Sequence, residues 1–213
     1  MSAVLEAVCV CGAGTGKRFC DFEDHHAYWD GPDRLPSITH IIKTCLPRTD
    51  GAPEAAIEGA RLRGVYVDNA IATYLTTGNV TIPETVDVSW RSAIGQAIEW
   101  FDTERRGCLV EPQVRLYGDY EAGTTDFIID MEEIVDLKAT YEVAMKTMAP
   151  QLGGYGDLYA GPGVCEIMPV KLKLGILHAN KRFKKAQFHE LEFLESWKRW
   201  RIIRDYWRML NER

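Results

Sequence analysis

The chain has 213 residues and a formal net charge of −6, with 46% hydrophobic and 26% charged residues, enough for one domain with a real apolar core. No run of about 18 apolar residues occurs, so no membrane span is expected. The N-terminus lacks the basic start of a signal peptide, and six scattered cysteines fit a reducing compartment better than a disulfide scaffold, so the protein is expected to be cytoplasmic.

The charge is uneven. Residues 171–213 carry 12 Lys and Arg against 5 Asp and Glu, whereas residues 1–170 carry 13 against 26. Overall acidity speaks against indiscriminate DNA binding. A basic C-terminal part beside an acidic body allows a phosphate-facing patch next to a cation site. A solvated helix face accounts for the basic residues equally well.

Residues 1–34 show little periodicity and read as an irregular extension with at most a hairpin. CGAGTGKRF (11–19) lacks the Gly and the Ser or Thr that a phosphate-binding loop places six before and one after its Lys, since Cys11 and Arg18 stand there; it reads as a Gly-rich turn. Cys9, Cys11 and Cys20 do not have a standard metal spacing.

LPSITHIIKTCLP (35–47) reads as a helix with Ser37 as N-cap and Pro47 as its stop. Residues 52–78 read as a long helix, with Pro53 and Glu54 in its first turn and Gly78 at its end. Residues 86–105 form another, with Trp90, Ile94, Ala97, Ile98 and Phe101 as its apolar stripe. Strand-like stretches follow at 108–117, 121–129 and 133–139. Residues 149–160 read as a helix with Pro150 in its first turn. Residues 166–179 read as one or two strands and 189–210 as a closing amphipathic helix. This order predicts one α/β domain over 1–213, a mixed central β-sheet flanked by helices. Its motifs lie within 35–160, and 161–213 adds strands and a basic C-terminal helix.

Three polar residues look misplaced in the strands. Asp126 sits in TTDFII, and Asp136 and Lys138 in IVDLKAT. Alternation points Asp136 and Lys138 to one face, and pairing across the turn DMEE brings Asp126 near them. Burying two carboxylates and an ammonium for stability alone is unfavourable, and neighbouring carboxylates repel unless a cation intervenes. Hard oxygen donors suit Mg²⁺ or Mn²⁺. A lysine beside such an ion suits phosphodiester hydrolysis. Gln151 and Tyr155, four apart on one helix face, follow closely enough to pack over the patch.

GTTD, IVDLKAT and QLGGY stand in the order and spacing of motifs that resemble those of the PD-(D/E)XK nucleases, in the RecB-like branch that includes many phage-encoded exonucleases. LPSITHII and RGVYVDNAIATYL resemble segments near the start of phage members. The resemblance covers about residues 35 to 160 and implies a restriction-endonuclease-like core. It implies a Mg²⁺- or Mn²⁺-dependent exonuclease acting on DNA in recombination, repair or DNA processing, with a recombination protein as a candidate partner. It further implies Asp126, Asp136 and the Leu137 carbonyl as metal ligands, Lys138 as the catalytic lysine, and Gln151 and Tyr155 as groups that orient it or touch the DNA backbone.

One departure matters: the family helix offers His where this chain has Asp68, and often Glu where it has Ala72. Asp68 can still ligate a hard cation; Glu58 and Glu111 are substitute candidates. The alternative is a catalytically weakened nuclease-fold module that binds DNA ends or a recombination partner. Lys181, Arg182, Lys184 and Lys185 are the best candidates for phosphate contact. His25, His26, His40, His178 and His189 do not cluster with these motifs. Trp197, Trp200 and Trp207 fall at helical spacing and read as core.

Overall fold

The computed structural model describes residues 17–22, 25–47, 51–161 and 171–211. The Gly-rich turn at 11–16, Cys9, Cys11, Cys165 and the start of the 166–179 stretch lie outside them, as do the side chains of Cys20, His25 and His26.

The chain runs β1 (Lys17–Phe22), β2 (His25–Asp30), β3 (Asp33–Leu35), α1 (Ile38–Cys45), α2 (Glu54–Thr77), α3 (Val88–Glu104), β4 (Val110–Tyr117), β5 (Ala122–Ile129), β6 (Glu133–Lys138), α4 (Met145–Ala160), β7 (Lys173–His178), β8 (Gln187–Leu191) and α5 (Phe193–Asn211). Local chemistry sets several boundaries. The Ser37 side chain accepts from the His40 N–H at the start of α1, and Asp87 accepts from the Ser89 N–H at the start of α3. Gly78, at φ 74°, closes α2 in the left-handed conformation that glycine adopts without penalty.

The main sheet has five strands in the order β4-β5-β6-β7-β8. Its pairs are antiparallel except β6 with β7, which are parallel and joined through α4. Strand alternation gives it two apolar faces. Ile128, Ile134, Leu174 and Ile176 pack against α1, α4 and α5 through Ile38, Ile41, Met148, Leu152, Tyr155 and Trp200. Phe127, Ile129, Val135, Leu137 and Leu177 pack against α2 and α3 through Val67, Ile71, Ile94, Ala97 and Phe101. The result is the α/β layering expected, a mixed sheet with helices on both faces. No helix among the described residues is long and apolar enough to cross a membrane.

Three expectations need correction. The stretch read as irregular holds a three-stranded antiparallel sheet, β1-β2-β3. It docks on the start of β5 by an apolar contact of Tyr28 and Leu35 with Ala122, and by a Tyr28–Thr124 hydroxyl hydrogen bond of 2.8 Å. α4 begins at Met145, not 149, because the Ala144 carbonyl already accepts from the Thr147 and Met148 N–H groups. Pro150 therefore lies inside the helix rather than in its first turn. The last helix begins at Phe193; residues 187–191 are instead an edge strand on β7. Glu192 separates the two, its Oε2 accepting from the Glu195 N–H at 2.7 Å and its carbonyl from the Ser196 N–H at 3.1 Å.

Candidate active site

β5 and β6 form the expected hairpin, with Phe127 opposite Val135 and Ile129 opposite Glu133. Their backbone ladder ends at Phe127–Val135. One step further the Asp126 carboxylate replaces a backbone acceptor, its Oδ2 taking the Leu137 N–H at 2.7 Å. β6 continues beyond this point only alongside β7, as far as Lys138 opposite His178. The acidic residues thus sit where two strands part, on the same sheet face as Ile128 and Ile134.

Lys138 closes the gap. Its Nζ forms an ion pair with Asp136 Oδ2 and donates to the Leu137 carbonyl at 3.3 Å. Asp136 is 2% exposed. Gln151, from α4, donates from Nε2 to Asp136 Oδ1 at 3.0 Å and to Tyr155 Oη at 3.2 Å. Tyr155 reaches this position because residue 123 is glycine: a Cβ there would stand 2.6 Å from the Tyr155 ring. The structure therefore joins Asp126, Asp136, Lys138, Gln151 and Tyr155 in one connected patch. Asp136 Oδ2 is buried and accepts no well-aligned hydrogen bond among the described residues. It forms an ion pair with the Lys138 ammonium.

Electrostatics follow from this crowding. Burial first, and then the Asp136 charge, push the Asp126 carboxyl up to about 7. Burial and the Asp126 charge push Asp68 well above the usual carboxylate range, with Lys138 opposing and Asp136 adding. Asp68 comes from α2, in the other helix layer, yet it feels all three site charges. Asp68 and Asp126 nonetheless stay half-buried, which places them in a cleft rather than in the closed core. Burial pulls Lys138 down, but the Asp136 and Asp126 charges outweigh it and hold the ammonium above its ordinary range. Burial, and then the charge of Asp136, raise Tyr155, against the hydrogen bond to Thr39.

One residue here escaped the sequence reading. Gln113 lies on β4 between the Pro112–Phe127 and Val114–Thr125 pairs, across from Asp126. Its φ of 52° is left-handed, which strains any residue but glycine. Its Nε2 donates to Asn69 Oδ1 at 3.1 Å, next in sequence to Asp68. Pro112 was the available signal, since proline inside a strand marks an edge or an irregularity.

Other candidates lie elsewhere. Glu58 is exposed and paired with Arg61 at 2.7 Å. Glu111, on β4, pairs with Ile128 of β5 and bears on Tyr159 instead. Lys181, Arg182, Lys184 and Lys185 are exposed on the β7–β8 loop, which leaves the sheet at the same end as Lys138; Lys185 pairs with Glu99 at 3.4 Å. His40 is exposed, whereas His178 is buried and donates from Nε2 to the Thr140 carbonyl at 2.8 Å. Trp197 and Trp200 are core.

The donor set fits a hard divalent cation: carboxylate oxygens and one carbonyl, held close enough to repel. The Lys138 ammonium already rests on two of the expected ligand atoms, Asp136 Oδ2 and the Leu137 carbonyl. Those oxygens accept positive charge in this geometry. Among the described residues, no group of three or more His, Cys, Asp or Glu side chains is already arranged to hold a metal.

No protein-family model matches the chain, and no curated protein matches it. Solved structures to which it is similar include an alkaline exonuclease from Laribacter hongkongensis, at 10% identity and a TM-score of 0.40, covering 84% of this chain and 90% of that one. A second is a phage-related exonuclease from Haemophilus somnus 129PT, at 10% identity and a TM-score of 0.38, covering 84% and 95%. Likenesses this remote leave the chemistry to be argued from the residues of this chain.

Proposed function

We propose that this protein is a divalent-metal-dependent deoxyribonuclease, an exonuclease that hydrolyses phosphodiester bonds in recombination, repair or DNA processing. The observation that supports this most is the Lys138 ammonium lying across Asp136 Oδ2 and the Leu137 carbonyl, with Asp126 alongside. Asp126, Asp136, the Leu137 carbonyl and Asp68 would hold Mg²⁺ or Mn²⁺. Such an ion supplies a bound water of lowered pKa and neutralises charge on the phosphate.

The residues themselves have separable tasks. Lys138 stays protonated at neutral pH, so it serves as a fixed positive charge for the phosphoryl oxygens rather than as a base. Gln151 holds the Asp136 carboxylate in place and shares its amide with Tyr155. Leu137 fixes the orientation of Asp126 through its backbone N–H. The exposed loop lysines attract the DNA backbone.

A second reading has its own support. Asp68 stands where the resembling family has His, and no three-acid cage is preformed among the described residues. A weakened nuclease-fold module that binds DNA ends or a recombination protein would look the same. Incubation of linear DNA with Mn²⁺, with chelator as control, separates the two. Metal-dependent loss of nucleotides supports the enzyme; saturable binding without turnover supports the module.

A further inference from the structure

We propose that Tyr141, backed by Arg182, is a stacking platform for an unpaired nucleobase of the DNA strand, which deepens the nuclease reading and rests on it. Tyr141 lies three residues beyond Lys138, so their Cα atoms are at most about 10 Å apart. The residue is 53% exposed. The Arg182 guanidinium lies 3.3 Å from the ring centroid. It covers one face of the ring and places a permanent positive charge there.

The surroundings hold this pair still. The Thr140 carbonyl, one residue before Tyr141, accepts from His178 Nε2 at 2.8 Å and from Asn180 Nδ2 at 2.6 Å. Asn180 Oδ1 accepts from the Arg182 N–H at 3.1 Å. Gln96, 7% exposed, donates to the Asn180 and Phe183 carbonyls at 3.0 and 3.1 Å. The buried Gln96 amide of α3, the buried His178 of β7 and the half-buried Asn180 just beyond it thus anchor two loops and set Tyr141 against Arg182. Burial explains these anchors but not an open aromatic ring. Lys181 and Lys184 stand exposed on the same loop and supply charge for the phosphates on either side of a stacked base.

The test uses a single-stranded oligonucleotide with 2-aminopurine near its end, bound in chelator so that nothing is cut. Wild type should quench the fluorophore. Tyr141→Ala should lose the quench and bind about tenfold more weakly, and Tyr141→Phe should restore most of both, because the ring face makes the contact. A blunt duplex of the same sequence should lose a smaller factor. With Mn²⁺ present, Tyr141→Ala should raise KM by more than it lowers kcat. Retained quench and affinity in Tyr141→Ala, or equal losses on duplex and single strand, overturn the platform even if wild type cuts DNA. Quench that depends on Tyr141 in a protein that never cuts linear DNA leaves the platform standing and removes the nuclease reading. No binding of either DNA removes both.

Discussion

The protein places aspartates in its interior in two ways, and the contrast between them separates fold from function. Asp157, on α4, accepts from Trp197 Nε1 at 2.9 Å, Trp200 Nε1 at 3.3 Å and Arg204 Nη1 at 2.9 Å. Its charge is balanced and both of its oxygens accept hydrogen bonds, and it fastens α5 to α4 where Gly153 lets the Ser196 backbone approach. Asp126, Asp136 and Asp68 share one ammonium among three carboxylates, and two of them are driven upward in pKa. A buried acid with a full set of donors holds a structure together. Crowded acids left short of positive charge keep room for a cation.

The largest expected effect comes from removing the Lys138 ammonium. Lys138→Ala should lower cleavage by at least about a hundredfold while the far-UV circular dichroism stays native. Cleavage near the wild-type rate would remove the proposed role of the lysine. At the structural acid the reverse is expected. Asp157→Ala leaves two indole N–H groups without their acceptor and takes the nearest carboxylate from Arg204, so it should cost about 3 kcal/mol of stability in denaturant titration, and a loss below about 1 kcal/mol would erase the contrast. Gln151→Ala frees Asp136 Oδ1 and should raise the Mn²⁺ concentration for half-maximal activity about tenfold.

The smallest effect is a pH dependence. Asp126 titrates near 7 in the folded protein and near 3.9 when unfolded. The folded state therefore binds the proton more tightly, and stability falls as pH rises from about 4 to about 7. In chelator the Tm should be lower at pH 8 than at pH 5, by about 2–4 °C per kcal/mol of repulsion. Mn²⁺ should recover the loss at pH 8, and Asp126→Asn should flatten the slope. A slope of opposite sign in wild type, reversed by the same variant, would contradict the electrostatics of the site.

Much of this was legible in the sequence, for physical reasons. α1 and α2 announce themselves through Ser37 and Gly78, whose side chain and backbone settle helix ends, and α3 through its apolar stripe, of which Ile94, Ala97 and Phe101 are buried. The β5–β6 hairpin shows as apolar alternation about a turn, and the same alternation puts Asp126, Asp136 and Lys138 on one face. What stayed hidden lacked a local signal. β8 alternates for too few residues beside a stronger helical stripe and sits at a sheet edge. α4 starts at Met145 behind Ala144, which offers no side-chain cap, while Pro150 points to a later start. The strain at Gln113 and its bond to Asn69 join residues 44 apart, which no local pattern encodes.

The most direct measurement is anomalous scattering from a crystal soaked in Mn²⁺. The expected result is a peak touching Asp126 and Asp136, with the Lys138 ammonium moved off the Leu137 carbonyl. A peak only elsewhere, with Lys138 still seated on Asp136 at saturating Mn²⁺, would contradict the account.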